Sequence, residues 1–284
     1  MTVARAPPPG YPGCLPFPSC TPGTAVAAPD RTALLADTAL LEDLGLTAWP
    51  ALKTVHHDGW LLRFSGGHTG RANSVTVIAP GVLPLAEKIA FAAAQYRAHG
   101  LTPLFRTTPL CPDGLEKALT GAGFARQGDN AVQVLDALPA ELPAATAIAP
   151  LLEEGWLRAW LAMVPVPERE LPFLRAILAA IPMPCLYATA WEKGQAAAVA
   201  LGVVDRGRVG VFKVATRPDL RGRGHGGRAV RAVLAAARRE GARGAYLQVG
   251  CDNAPANRLY ARLGFSNAYG YSYWRPAAVV PAEG

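Results

Sequence analysis

The sequence predicts an α/β protein built as two consecutive units behind a proline-rich tail, and three features predict it. Short apolar strand-like segments alternate with helical ones through most of the 284 residues. Between Val211 and Gly227 a strand runs into a Gly/Arg loop and then into a helix. Finally, LEKALTGAGF (115–124) aligns with NRLYARLGF (257–265) when Gly123-Phe124 is set on Gly264-Phe265, a weak self-similarity that suggests tandem duplication.

Residues 1–30 carry Pro7-Pro8-Pro9-Gly10 and further prolines to Pro29, so they read as a disordered tail. Residues 31–138 read as a first domain. Leu34 to Leu44 is helical, and Trp60 to Phe64 and Ser74 to Ile78 are strands around a Gly66-Gly67 turn. Leu85 to His99 is a helix stopped by Gly100, Leu104 to Thr107 a strand, and Leu115 to Ala122 a short helix before Phe124. Leu138 to Pro143 is the linker. The second domain, 139–284, opens with helices at Leu151 to Met163 and Glu168 to Ile181. Leu186 to Glu192 and Ala196 to Asp205 then form a hairpin around Lys193-Gly194.

The β-branched positions Val209, Val211 and Val214 mark the next strand, and Arg217-Pro218-Asp219 turns the chain. Arg221-Gly222-Arg223-Gly224-His225-Gly226 then opens a helix on which Val230, Val233, Leu234 and Ala237 share a face. A strand, a Gly/Arg loop and a helix N-terminus in that order make an anion site. Free backbone N–H groups and the positive helix end converge there, glycines admit close approach, and arginines bind phosphate oxygens. Next come a strand at Ala245 to Val249, a polar turn at Cys251 to Pro255, and a short helix with Ala256, Leu259, Tyr260 and Leu263 on one face. Gly264 ends it, and an aromatic strand-like segment runs from Phe265 through Trp274.

Two of these blocks, VATRPDLRGRGHG and CDNAPANRLYARLGF at this separation, resemble the GNAT superfamily of acyl-CoA-dependent N-acetyltransferases. The resemblance implies an α+β mixed sheet in each of two tandem units, twisted, mostly antiparallel and flanked by helices. It implies that the backbone of Val214, Ala215 and Thr216 pairs with a pantetheine arm. Arg221, Gly222, Arg223, Gly224, His225 and Gly226 would hold the pyrophosphate of acetyl-CoA, and Asn253 would touch the CoA arm. Tyr260 would be the general acid that protonates the departing thiolate. Periodicity alone makes Tyr260 a core aromatic. Trp156 and Trp160 read by spacing as core residues; the resemblance makes them candidate substrate contacts, because the first two helices of relatives often wall the acceptor pocket.

The first unit looks like a degenerate copy. Leu119 falls where Tyr260 stands, Pro112 falls where Asn253 stands, and Val75 to Leu85 holds no Arg/Gly loop. Some relatives carry a glutamate base where this chain has Gln248, and Arg208 to Lys213 contains no carboxylate. Glu192, Asp205 and Asp252 are turn residues, so no general base is assigned; ordered water or an amine that arrives neutral is compatible with that. The expected function is transfer of an acetyl group to a primary amine, small molecule or protein, in a ternary complex. The alternative is a non-catalytic acyl-CoA-binding sensor or interaction module.

Half the residues are hydrophobic and 17% are charged, enough for a buried core. A net charge of +7, concentrated between Arg206 and Arg243, is accounted for by CoA phosphates and a solvated helix face. No zinc-finger spacing or stacking motif supports a nucleic-acid partner. Cys14, Cys20, Cys111, Cys185 and Cys251 lack metal-ligand spacing, so no metal is expected, and an odd, low count suits a reducing cytoplasm. No signal peptide is expected, because the N-terminus has no apolar core of sufficient length, and no membrane span, because prolines interrupt the longer apolar runs.

Overall fold

A computed structural model of the chain describes residues 31–138 and 146–277. The proline-rich tail with Cys14 and Cys20, and the linker beyond Leu138, lie outside those residues. The first half runs α1 (Arg31–Ala48), β1 (Lys53–His57), β2 (Trp60–Phe64), β3 (Val75–Val77), α2 (Leu85–Ala98), β4 (Phe105–Thr107), α3 (Leu115–Gly121) and β5 (Phe124–Leu135). The second half runs β6 (Ala147–Ala149), α4 (Glu154–Met163), α5 (Leu171–Ala179), β7 (Cys185–Glu192), β8 (Gln195–Asp205) and β9 (Arg208–Thr216). It closes with α6 (His225–Arg239), β10 (Gly244–Gly250), α7 (Ala254–Arg262) and β11 (Ser266–Pro276).

Among the described residues eleven strands make one sheet, in the order β1-β2-β3-β4-β11-β5-β10-β9-β8-β7-β6. That order is a near-palindrome. β1-β2-β3-α2-β4-α3-β5 repeats as β7-β8-β9-α6-β10-α7-β11, and β3·β4 and β9·β10 are both parallel while every other pair is antiparallel. At the centre the two repeats exchange their last strands. β5 pairs with β10, β11 pairs with β4, and β5 and β11 pair with each other. Side chains obey the exchange: Ala131 and Leu135 of β5 join the core under α6 and α7, and Trp274 of β11 joins the core of β2, β3 and α2.

Tight turns reflect local chemistry. Asp58-Gly59, Lys193-Gly194 and Arg206-Gly207 each place two residues at positive φ, matching the right-handed twist of two-residue hairpins. On the sheet face opposite α6 and α7, α1, α4 and α5 bury Leu44, Trp156, Leu157, Leu174 and Ile177, together with Trp49 just after α1. A buried polar cluster ties the halves there. Glu42 of α1 takes both guanidinium amino groups of Arg106 from β4 and the Tyr269 hydroxyl from β11. Burial opposes ionisation of Glu42, but the Arg106 charge outweighs it and holds the carboxyl below its usual range.

Some elements differ from the sequence expectation. The helix expected over Glu168 to Ile181 is a 3-10 turn, Glu168–Glu170, followed by α5, because Pro172 lacks the N–H that a continuous helix would use. α6 begins at His225, so Arg221 to Gly224 is loop rather than helix. β1, β5 and β6 are strands that periodicity did not reveal.

Candidate active site

The site begins where two parallel strands part. β9 and β10 pair only from Arg208↔Gly244 to Val211↔Leu247. Beyond that, β10 stays with β5 as far as Gly250, and β9 stays with β8 as far as Thr216. β9 also carries a bulge: it advances from Phe212 to Ala215 while β8 advances only from Leu201 to Val199. Lys213 sits in the bulge at φ +50°, a rare conformation for a side chain with a Cβ. The backbone of Val214, Ala215 and Thr216 therefore lies on a strand whose β10-facing edge has no strand partner.

At the mouth of this gap lies the Gly/Arg loop. Gly222 and Gly224 adopt φ +77° and +83°, which glycine takes without strain. α6 starts on Gly224 with no side-chain cap and no acidic residue in its first turn. Its first internal bond runs from Arg228 N–H to the Gly224 carbonyl, which leaves the N–H groups of His225, Gly226 and Gly227 outside the helical ladder. Arg221 and Arg223 are exposed and join no ion pair among the described residues. Gly226 has a packing role as well, since a Cβ there would lie 2.9 Å from Thr216 Oγ1. The His225 side chain is buried and bonded to Arg228, so only its backbone faces the loop.

α7 supplies the next two predicted residues. Asn253 caps the helix, its Oδ1 accepting from Ala256 N–H at 3.2 Å. Tyr260 is 7% exposed, edge-on to Phe265 at 5.9 Å, in the core shared by α6, α7 and Val214. Its hydroxyl makes no hydrogen bond among the described residues. Burial holds the phenol up at about 12.

On the opposite face a cavity of about 310 Å³ abuts the bulge. Phe212 and Lys213 come from β9, Tyr271 and Tyr273 from β11, Trp49 and Arg71 from the first half. Lys213 Nζ stands 4.6 Å over Trp49 and 4.3 Å over Trp160. Burial pushes its ammonium down to about 7, and the Arg71 charge acts in the same direction. Trp160 thus touches Lys213 without lining the cavity; like Trp156, which donates to the Ala188 carbonyl, it is core. Gln248 does not line the cavity; its Oε1 accepts from the Tyr271 hydroxyl at 3.1 Å. Sequence reasoning did not find Arg71, Lys213 or Tyr271 as site residues. A lysine inside the apolar run Val209 to Ala215 is the one sequence signal that could have. Among the described residues no cluster of His, Cys, Asp or Glu could hold a metal, and no helix is long and apolar enough to cross a membrane.

The related position in the first half is built differently. The loop before α2 is closed by an internal carboxylate: Asp58 accepts from the N–H groups of Val82 and Leu83 at 2.8–3.0 Å and pairs with buried Lys88 at 3.0 Å. Glu87 adds a second negative charge in the first turn of α2. A phosphate there would meet two carboxylates instead of a bare helix end.

A mixed sheet parted between two parallel strands, with an uncapped Gly/Arg helix start at the gap, defines a GNAT-type N-acetyltransferase, and so an acyltransferase. The solved structures agree on the fold. A GCN5-related N-acetyltransferase from Kribbella flavida superposes with TM-score 0.63 at 20% identity, covering 84% of this chain and 95% of its own. A tandem GNAT protein from the clavulanic acid biosynthesis pathway superposes with TM-score 0.53 at 15% identity, covering 86% and 91%. In sequence, the uncharacterized N-acetyltransferase YobR of Bacillus subtilis is 28% identical over 236 residues, 80% of this chain and 93% of that protein. The chain belongs to the acetyltransferase family described as "Probable histone acetyltransferase Rv0428c C-terminal", whose model matches residues 36–274.

Proposed function

We propose that the protein moves an acetyl group from acetyl-CoA directly to a primary amine in a ternary complex, using the second half of the chain. The observation that carries this reading is the uncapped start of α6. A helix of 15 residues with three free N–H groups, two αL glycines and two unpaired arginines at its N-terminus has the chemistry of a pyrophosphate site. Gly222, Gly224 and Gly226 let backbone N–H groups approach the phosphates, and Arg221 and Arg223 add charge-assisted bonds. The free β9 edge at Val214, Ala215 and Thr216 would take the pantetheine amides as an added strand. The amide NH₂ of Asn253, unused by the cap, is available to the same arm.

The reaction forms one C–N bond and breaks one C–S bond. The amine attacks the thioester carbon, and a backbone N–H at the bulge near Val214 stabilises the oxyanion. As the C–S bond breaks, the Tyr260 phenol gives its proton to sulfur; the proton shed by the nitrogen returns to the phenolate through water. Tyr260 and the cavity lie on opposite faces of the sheet, and the gap between β9 and β10 is the route by which the acyl group would reach the acceptor. The first half, residues 31–138, is in this reading a degenerate GNAT repeat. Asp58 and Glu87 occupy its anion position, and its last strand completes the sheet of the other half.

Calorimetric titration of acetyl-CoA into the full-length protein tests the reading. One site per chain is expected, lost in Gly224→Glu, whose carboxylate would stand where the pyrophosphate binds. Unchanged affinity in that variant would overturn the loop assignment. A second reading, a non-catalytic acyl-CoA sensor, is favoured by one observation, the absence of any carboxylate among the cavity-lining residues. Acetyl-CoA binding without CoA release on any amine would select it.

A further inference from the structure

Arg71 and Lys213 line the cavity beside the bulge, and neither has a carboxylate partner among the described residues. Arg71 stands on the 3-10 turn Gly70–Ala72, its guanidinium 5.3 Å over the Phe212 ring. Its Nε is buried without a hydrogen-bond partner. Neither Arg71 nor Lys213 joins a salt bridge among the described residues, and no lining residue is acidic. Two carboxylates of the surrounding elements are committed elsewhere, although the Arg71 charge also helps to hold the Glu42 carboxyl down. Glu42 is held by Arg106 and Tyr269, and Glu170 is bonded to His68 at 3.0 Å. Both side chains are half-buried, and a guanidinium with a free edge over an aromatic wall is a fork for an oxyanion.

We propose that the acceptor is a small amine that also bears an oxyanion, a carboxylate or a phosphate, and that Arg71 and Lys213 hold that anion in the cavity. This rests on the reading that acetyl-CoA occupies the β9–β10 gap. The volume, about 310 Å³, lies at the small end of ligand sites and suits a metabolite rather than a folded protein surface. Trp49, Tyr271 and Tyr273 supply the apolar walls, and Asn130 and Thr69 supply polar atoms at the rim. The Arg71 charge, joined by Lys213 where that amine is protonated, disfavours an ammonium and so favours the neutral amine, which is the nucleophile. That is a physical substitute for the carboxylate base the strand lacks. A lysine-rich protein tail would bring cations to cations.

Matched acceptors read this directly. The full-length protein is first titrated with acetyl-CoA; absence of binding removes the underlying acetyltransferase reading and is distinguished at that step. CoA thiol release is then measured with the amino acids against their carboxamides, O-phosphoethanolamine against ethanolamine, spermidine, and a lysine-rich peptide. Anion-bearing members are expected to exceed their uncharged mates by at least tenfold in kcat/KM. The carboxylate and phosphate arms identify which oxyanion is used. Arg71→Gln is expected to raise KM for the anionic acceptor about 10- to 100-fold, with the acetyl-CoA affinity unchanged and the preference abolished, and Arg71→Lys is expected to restore part of it. Equal or better turnover of carboxamides, spermidine or the basic peptide would overturn the proposal, as would an Arg71→Gln effect of the same size on charged and uncharged acceptors.

Discussion

Replacing Tyr260 by Phe removes one oxygen and leaves the ring, and the surroundings of that oxygen decide the consequences. The hydroxyl makes no hydrogen bond among the described residues, so its loss orphans no buried donor or acceptor. The ring keeps its edge contact with Phe265. Stability should therefore change by less than about 0.5 kcal/mol, the range of substitutions that break no named interaction. The acetyl-CoA Kd should also hold, since the proposed phosphate and pantetheine contacts are backbone, arginine and Asn253, and none is the Tyr260 hydroxyl. Turnover should not. A positioned general acid contributes about 10²–10⁴-fold, or roughly 3–5 kcal/mol at 1.36 kcal/mol per decade. Because burial holds the phenol up at about 12, it stays protonated through the working range, and wild-type kcat should show no alkaline limb from Tyr260 below about pH 11. The assay is CoA thiol release against pH for both proteins, beside calorimetric Kd and thermal melting. Equal kcat in the two proteins would return Tyr260 to the core. A kcat loss matched by a large fall in Tm would show packing and refute the acid role.

Glu42→Gln should cost about 3–5 kcal/mol in denaturant unfolding, because it leaves the fully buried Arg106 guanidinium without its counter-charge. The folded-state pKa of Glu42 is depressed, so its contribution is present above the usual carboxylate range and is lost as pH falls through the lowered value; wild type should lose stability there and Glu42→Gln should not. Lys213 has the opposite linkage. Its folded pKa of about 7 lies below the ordinary lysine value of 10.5, so the unfolded chain binds the extra proton between them. Stability should rise with pH across that window, by at most about 1.4 kcal/mol per unit, and Lys213→Met should flatten the slope. Expressed separately, residues 31–138 and 146–284 should each fail to give a cooperative melt, since each lacks the strand that completes its sheet; a sharp transition in either fragment would show that the exchange is dispensable.

The fold class and the local elements that carry the candidate site were legible in the sequence; the order of the strands in the sheet was not. The loop strand, the Gly/Arg loop and the Asn253–Tyr260 helix could be read because each depends on local spacing: αL glycines, a cap, a helical face. The hairpin at Lys193-Gly194 was legible for the same reason. β5 was not. Phe124–Leu135 carries Gly128-Asp129-Asn130, which reads as a turn, and its first half is largely exposed, so alternation fails where the strand is longest. Its place between β10 and β11 is set by partners more than a hundred residues away, and no local pattern encodes that. The cavity was hidden for a related reason. Arg71, Trp49 and Lys213 are far apart in the chain, and only the palindromic sheet order brings the first half against the bulge of the second.

The exchange of last strands also sets an order of events on the ribosome. β4 has β11 as its neighbour, and β11 is the final described strand to be made. At ~5–20 residues per second the nascent first half waits on the order of ten seconds with the backbone edge of β4 uncovered. Such an edge is a template for pairing with another chain. β4 is only three residues long, Phe105–Thr107, and Arg106 puts a charge at its centre, two of the devices that blunt an open edge. The brevity of that strand is thus a safeguard for the unfinished protein, in force until Tyr273 and Trp274 arrive to close it.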